Sequence, residues 1–312
     1  MTDNARDALR PKFARPDLDM TETLAIAREM LRFTSKREYD AMLAEQSQLF
    51  EARWLVGQRL PLALTQSDGY DGWCGACGAS TRFSYEVRAD KTVDLREQMI
   101  CRTCNLNARH RVSLGLLADL HPPGEHARVY LTEQASPAFR WIQARYPEAV
   151  GSEFFTREQK PELQAYLRRL LGSHARLNFE DVTRLSFADE SFGAIVSSDV
   201  LEHVPDFRAA LENFHRVLAP SGDLVLTVPF LDADERSVRR AEIDANGDIR
   251  HLAEPEYHGD PVSPEGVLAF HSFGWDLLDA LRECGFSSAQ FCLPWQPAQA
   301  ILGSLWTIHA RK

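Results

Sequence analysis

Apolar positions change period several times along the 312 residues of this chain. The first twenty residues are polar, contain Pro11 and Pro16, and predict a loose arm. From Thr21 to about Phe50, Leu24, Ala27, Met30, Leu31, Tyr39, Met42, Leu43 and Phe50 fall at helical spacing, which predicts two amphipathic helices. The pattern breaks over 70–105, where Gly, Asp and Cys concentrate. It becomes helical again over 106–120 and ends at His121-Pro122-Pro123-Gly124. From 127 onward short apolar runs alternate with amphipathic stretches. They predict strands over 127–131, 149–152, 175–179, 192–198 and 223–229, with helices over 137–145, 160–171 and 207–218. After a polar insertion over 231–272 come a helix over 275–284 and two strands, 289–293 and 305–310, with no helix between them. Such an order implies an α/β fold: a mostly parallel sheet with helices on both faces and a terminal antiparallel hairpin. The expected segments are a helical arm over 1–69, a cysteine-bearing module with its following helix over 70–121, and an α/β domain over 125–312.

Charge narrows the class of partner. Thirty-five basic against 45 acidic residues give 35 − 45 = −10, a surface that repels phosphate backbones, so nucleic acid is not the expected partner. No run approaches the roughly 18 apolar residues of a membrane span, and the opening residues lack the apolar core of a secretory signal. The expected compartment is the cytoplasm. Its reducing poise favours paired cysteines as metal ligands over disulfides.

Two CxxC pairs, Cys74-Gly75-Ala76-Cys77 and Cys101-Arg102-Thr103-Cys104, stand 23 residues apart. Each pair curls the backbone so that two thiolates face one ion, and two pairs supply the four sulfurs that tetrahedral Zn²⁺ prefers. Gly78 and Asn105 follow the pairs, and both residue types tolerate positive φ. Residues 82–87 and 93–99 are expected to form a ribbon between the knuckles. Zinc in a structural role is the leading reading, since four thiolates leave no open position; a rubredoxin-like iron site and a pair of redox dithiols are the alternatives. Cys284 and Cys292 fall in a predicted helix and strand and read as core. Arg109 and Arg111, after the second knuckle, read as surface helix residues or as contacts to an anionic acceptor.

The most informative stretch runs from Glu180 to Phe230. It carries Asp181, then Leu185-Ser186-Phe187, Ser191-Phe192-Gly193, Leu201-Glu202-His203-Val204, and Arg216-Val217-Leu218-Ala219-Pro220-Ser221-Gly222 before an apolar run. In this order they resemble the class I methyltransferases dependent on S-adenosylmethionine (SAM), of the small-molecule, type 11-like kind. The resemblance implies a Rossmann-like sheet with SAM at its carboxyl edge, and cofactor contacts at Glu133, Glu153, Asp181, Val182, Ser198, Asp199 and His203. Glu153 would hold the ribose hydroxyls, and Asp181 would accept from the adenine amino group. The chain departs from the family's pattern in the loop after the first strand. Residues 129–136 contain no glycine where a Gly-rich loop is usual, and side chains at 133–136 would crowd the cofactor's path. Together with the four cysteines, the stretch resembles a narrower group associated with sugar, polysaccharide or natural-product pathways.

Methyl transfer to a hydroxyl needs an oriented acceptor and gains from a base, for which His serves near neutral pH. The insertion contains His251, Glu254, Glu256, Tyr257, His258, Gly259, Asp260 and His271. We read His258 as the base, Asp260 as its orienter or an acceptor contact, and His271 as a further catalytic candidate. The leading expectation is SAM-dependent methylation of a small-molecule hydroxyl. The alternatives are other SAM chemistry on the same fold and a degenerate, non-catalytic binding or scaffold protein.

Overall fold

The computed structural model describes residues 29–64, 69–89, 92–124, 127–260 and 263–312. The predicted arm, Leu24 and Ala27 therefore lie outside the described residues. The chain divides into two compact units, Met1–Val112 with Cys292–Trp306, and Ser113–Phe291 with Thr307–Lys312.

In the first unit, strand β1 (Glu29–Phe33) precedes helices α1 (Lys36–Glu45) and α2 (Ser47–Leu64). Met30 and Leu31 thus belong to a strand, not to the helix that their spacing predicted. Ser35 caps α1 by accepting from the Glu38 backbone N–H, which fixes the start of that helix one turn later in the chain. Strands β2 (Tyr70–Cys74), β3 (Ala79–Ser84) and β4 (Ile100–Cys101) form an antiparallel sheet in that order, and α3 (Ala108–Leu120) leaves this unit for the second. The expected 82–87/93–99 ribbon is replaced by pairing across the first knuckle, Cys74 opposite Ala79.

The core of this unit joins Val56, Phe83, Met99 and Val112 to Trp295, Ile301, Leu302 and Leu305. The late segment also bonds to the cysteine-bearing sheet: the Tyr70 hydroxyl donates to the Pro297 carbonyl at 3.0 Å, and the Gly75 N–H to Gln299 Oε1 at 3.0 Å. Gly72 is required here, because a Cβ would lie 2.4 Å from the Ala298 carbonyl oxygen. Residues 292–306 therefore complete the cysteine-bearing unit, whereas linear segmentation left them in the C-terminal domain. Local periodicity carries no record of such a long-range closure.

The second unit is built on strands β5 (Val129–Leu131), β6 (Val150–Gly151), β7 (Phe192–Ser198), β8 (Leu218–Thr227), β15 (Ser288–Trp295, its last residues in the first unit) and β16 (Thr307–Arg311). Their order is β15-β16-β8-β7-β5-β6, with β1 beside β15. Strands β6, β5, β7 and β8 run parallel, while β16 is antiparallel to β8. The connecting helices are α4 (Pro137–Gln143), α5 (Lys160–Leu171), α6 (Phe207–Val217) and α7 (Leu277–Glu283). This is the Rossmann-like class I arrangement with terminal antiparallel strands. The strand expected over 175–179 shrinks to one bridge, Glu153 opposite Phe179. Side chains take its place: Gln164 donates to the Ala175 carbonyl and accepts from Leu177 N–H, and Gln134 accepts from Asn178 N–H. The insertion is three two-stranded ribbons: β14 (His271–Ser272) with β9 (Val238–Arg239), β10 (Ala241–Ile243) with β11 (Ile249–His251), and β12 (Tyr257–Asp260) with β13 (Ser263–Leu268). Among the described residues no helix is long and apolar enough to cross a membrane.

Asp223, 1% exposed on β8, ties this unit together away from the strands' carboxyl ends. Its carboxylate takes Arg311 Nε and Nη2 at 2.9 and 3.0 Å, and lies 2.7 Å from His309 Nε2 and 3.0 Å from His121 Nε2. Burial pushes its pKa up, but the His121, His309 and Arg311 partners outweigh burial and hold it well below the usual carboxylate range. A depressed folded pKa contributes stability that is present above the unfolded value near 4 and lost as pH falls towards the folded one. Asp223→Asn should cost about 2–3 kcal/mol at pH 7, below the full penalty for a buried pair because Arg311 is half exposed. The gap in urea midpoint between wild type and variant should narrow on acidification below about pH 4.

Candidate active site and cysteine centre

The four cysteines that the sequence singled out converge. Cys74 Sγ lies 3.9 Å from Cys104 Sγ, Cys77 Sγ lies 3.7 Å from Cys101 Sγ, and all four sulfurs are within 4.8 Å of one another. Sulfurs at roughly 2.3 Å from one tetrahedral ion would stand about 3.8 Å apart, so the set has the right size for Zn²⁺. Each knuckle closes as its sequence requires: Gly78 (φ 67°) and Asn105 (φ 60°) adopt the left-handed conformation and return their N–H groups to the Cys74 and Cys101 carbonyls at 2.8 and 2.9 Å. As bare thiols the four could not ionise together. Burial pushes Cys77 up to about 12, while Cys74, helped by its contact with Cys104, falls to about 5.

Arg111 is no surface residue. It is 4% exposed, its guanidinium sits 4.2 Å from the Phe83 ring centroid, and it donates to the Met99 carbonyl at 2.8 Å and to the Gln299 carbonyl. Burial lowers its pKa to about 10, against the opposing pull of the four cysteines. Arg109 pairs with Glu97 at 2.8 Å. Both arginines therefore serve this unit's interior.

In the second unit the carboxyl ends of β5, β6 and β7 bring most of the expected cofactor residues to one rim. The loop after β5 holds its shape without glycine. Thr132 donates to Ser197 Oγ at 3.2 Å, buried Gln134 spans to the Arg176 carbonyl and Asn178 N–H, and Ser136 caps α4. Glu153 Oε1, past the end of β6, accepts from the Gln134 and Ala135 N–H groups at 2.7 and 2.6 Å. Glu133 sits in this loop, partly buried. Ser198 ends β7 with its hydroxyl oxygen buried and without a hydrogen-bond partner among the described residues. Asp199 follows at φ 52° and accepts from Thr227 Oγ1 at 2.9 Å. Asp181 folds onto its own turn, accepting from Thr183 N–H and Oγ1 at 2.9 and 2.7 Å, with Val182 between them.

Just past Asp199 stands a group that sequence reasoning missed. Glu202, in the 3-10 turn Leu201–His203, is fully buried, and neither carboxylate oxygen has a hydrogen-bond donor among the described residues. His203 Nε2 lies 3.8 Å and His258 Nδ1 3.6 Å from its Oε1. The two imidazoles meet edge to face, 4.9 Å between centroids. His258 reaches the cluster from β12, so the insertion does fold onto the rim, and the Phe270 N–H donates to the Glu202 carbonyl at 2.6 Å. Burial raises the Glu202 pKa, and Glu202 raises that of His258. The signal is the Leu201-Glu202-His203-Val204 segment itself, in which the sequence reading marks only the histidine.

Asp260 lies on the same strand as His258, opposite Ser263 with an irregularity in register between them, and its side chain lies outside the described residues. The described carboxylates facing His258 are Glu202 and Glu256, the latter 3.3 Å from Nε2. His271 goes elsewhere. It is buried against the rings of Phe207 and Phe273, with Nε2 3.1 Å from the Pro205 carbonyl, and burial lowers its pKa.

Residues 141–226 match the family described as "Methyltransferase domain". Over those residues the chain is similar to that family, and the sheet that carries them has the Rossmann-like class I order. The match begins inside α4, just after the glycine-free loop, and ends within β8. No curated protein matches the chain. Solved structures similar to it include a SAM-dependent methyltransferase from Mesorhizobium loti, 19% identical, covering 64% of this chain and 96% of its own with a TM-score of 0.43. Another is a SAM-bound amino pentose methyltransferase from Micromonospora echinaspora, 16% identical, covering 65% and 91% with a TM-score of 0.44.

The loop after β5 depends on Glu153 for its shape. Glu153→Ala leaves the Gln134 and Ala135 N–H groups without their acceptor and should cost about 2–3 kcal/mol. Hydrogen exchange at 134 and 135 should accelerate, while Glu153→Gln, which keeps an accepting oxygen, should restore most of the protection.

Proposed function

We propose that the domain transfers the methyl group of SAM to a hydroxyl of a small molecule, a sugar or natural-product intermediate. The observation that carries this reading is the placement of a buried Glu202 with His203 and His258 directly after β7, at the sheet edge where open α/β folds bind ligands. We assign Glu133, Glu153, Asp181, Val182, Ser198 and Asp199 to the cofactor side of that rim. Ser198 fits the assignment, since its buried hydroxyl awaits a polar partner. SAM, when bound, supplies an electrophilic methyl on a sulfonium. His258 takes the proton that the acceptor hydroxyl gives up. Glu202 orients that imidazole and offsets its positive charge, the role that sequence spacing gave to Asp260. Asp260 is left as an acceptor contact from the same ribbon, and His271, packed between phenylalanines, takes no part in proton transfer.

We also assign a structural zinc to Cys74, Cys77, Cys101 and Cys104. What supports it is a sulfur set of tetrahedral size within the core that residues 292–306 close.

Titration calorimetry with SAM and its demethylated product should show binding of both; no binding of either defeats the methyltransferase reading. His258→Ala should lower kcat about 10²–10⁴-fold with SAM affinity little changed. Mass spectrometry of the product should show a gain of one methyl, whereas SAM consumption without transfer would point to other chemistry on the fold. Cys101→Ser should release the zinc of the cysteine centre and expose the Trp295 core to solvent, read by metal analysis and tryptophan fluorescence.

A further inference from the structure

We infer that Glu202, His203 and His258 form a second metal site, a three-ligand centre for a divalent first-row cation, Zn²⁺ in the first instance. First, a fully buried carboxylate without a hydrogen-bond donor is costly unless a positive charge meets it. Its neighbours are two ring nitrogens at 3.6 and 3.8 Å, beyond hydrogen-bond length. They are close to the roughly 3.3–3.6 Å that separates two ligands of one tetrahedral ion with bonds of about 2.0–2.2 Å. A shift of a few tenths of an ångström closes the set.

Secondly, the far nitrogen of each ring is already engaged. His203 Nδ1 lies 2.9 Å from the Leu268 carbonyl, which only accepts, so Nδ1 carries the hydrogen and Nε2 presents a lone pair towards Glu202. His258 Nε2 faces Glu256 Oε1 at 3.3 Å, an acceptor for its hydrogen when Nδ1 gives its lone pair to a cation. In these tautomers both rings turn a lone pair towards the carboxylate, the arrangement that a cation shared by all three would take. Carbonyl and carboxylate acceptors on the outer nitrogens are the partners that metal-bound histidines take.

Thirdly, the three ligands come from two elements distant in the chain, the turn after β7 and strand β12. Gly266 on β13 keeps them in place: at φ 78° it brings its backbone so close that a Cβ would stand 2.3 Å from the His258 carbonyl oxygen. Three protein ligands leave a fourth position for an oxygen of the acceptor or a water. That the ion would serve methyl transfer rests on the function proposed above, and activation of the acceptor hydroxyl would then pass from His258 to the ion. That the centre binds an ion does not rest on that function.

The test is metal content and Co²⁺ absorption of the full chain, read beside SAM calorimetry. Wild type should hold or take up two ions per chain, and His258→Ala and His203→Ala one each, with thermal unfolding confirming that both variants fold. Co²⁺ loaded after the cysteine centre is filled with Zn²⁺ should give weak d–d bands without thiolate charge transfer, and these bands should be lost in His258→Ala. Glu202→Gln, which keeps the side chain's shape, should weaken Co²⁺ binding at least tenfold. One ion per chain in wild type, with no Co²⁺ bands beyond the cysteine centre, would overturn the inference. Failure of SAM to bind while Co²⁺ still does would instead overturn the methyltransferase reading alone.

Discussion

A carboxylate held out of water without a donor is the constraint around which the rim of the second unit is arranged. Glu202 is placed by the turn that follows β7, and its carbonyl receives the Phe270 N–H from the end of the insertion. Stripping a carboxylate of water costs several kcal/mol unless charge and donors compensate. Both imidazoles that face Glu202 are in turn fixed by their own acceptors, Leu268 and Glu256. The insertion is therefore no solvated loop that happens to carry histidines. Its β12-β13 ribbon is the wall that makes the burial of Glu202 tolerable, and the site exists only when that ribbon is docked.

The neighbouring loop solves a different problem. In the resembling family, glycine lets backbone approach the cofactor. Here the same turn is fixed by side-chain hydrogen bonds, with Glu153 gathering two N–H groups and Gln134 bonding to 176 and 178. Gly151, on β6, makes room for this: a Cβ there would stand 2.7 Å from the Phe139 ring and 3.0 Å from Gln134. The bulk expected to crowd the cofactor's path is in part turned sideways along the sheet edge. It also fills the place where a strand over 175–179 was expected. One substitution of polar contacts for glycines thus accounts for both the atypical loop and the missing strand.

Much of the fold was legible because it is local. The helix over 160–171 and the strand over 192–198 coincide with α5 and β7, since periodicity and turn residues act within a few positions of each other. The cysteine knuckles were legible for the same reason: CxxC followed by Gly or Asn is a closed local geometry. Residues 292–306 were not legible as part of the cysteine-bearing unit, because their apolar residues find Val56 and Phe83 across some 200 positions of sequence. Glu202 was not legible as chemistry either. Inside an apolar-flanked segment it reads as one polar residue beside a histidine, and only burial shows that it lacks a donor. Along the chain Asp260 is the nearer carboxylate to His258, whereas Glu202 meets it across 56 positions.

The two clusters differ in the way that coordination chemistry uses to separate structure from reaction. Four soft sulfurs, in a core that Arg111 and Trp295 help to build, complete a tetrahedron and leave nothing for a substrate to approach. Two imidazoles and one carboxylate leave one position vacant and prefer harder, exchangeable oxygen ligands there. The first arrangement resists exchange because all its ligands belong to the fold that the ion closes. The second sits beside residues that the domain has no structural need to bury, such as Ser198 with its unpartnered hydroxyl. A fold that needed these groups only for stability would gain by replacing Glu202 with a packed apolar side chain. That Glu202 stays at this rim, facing two oriented imidazoles, argues that the cost is offset by what the centre binds.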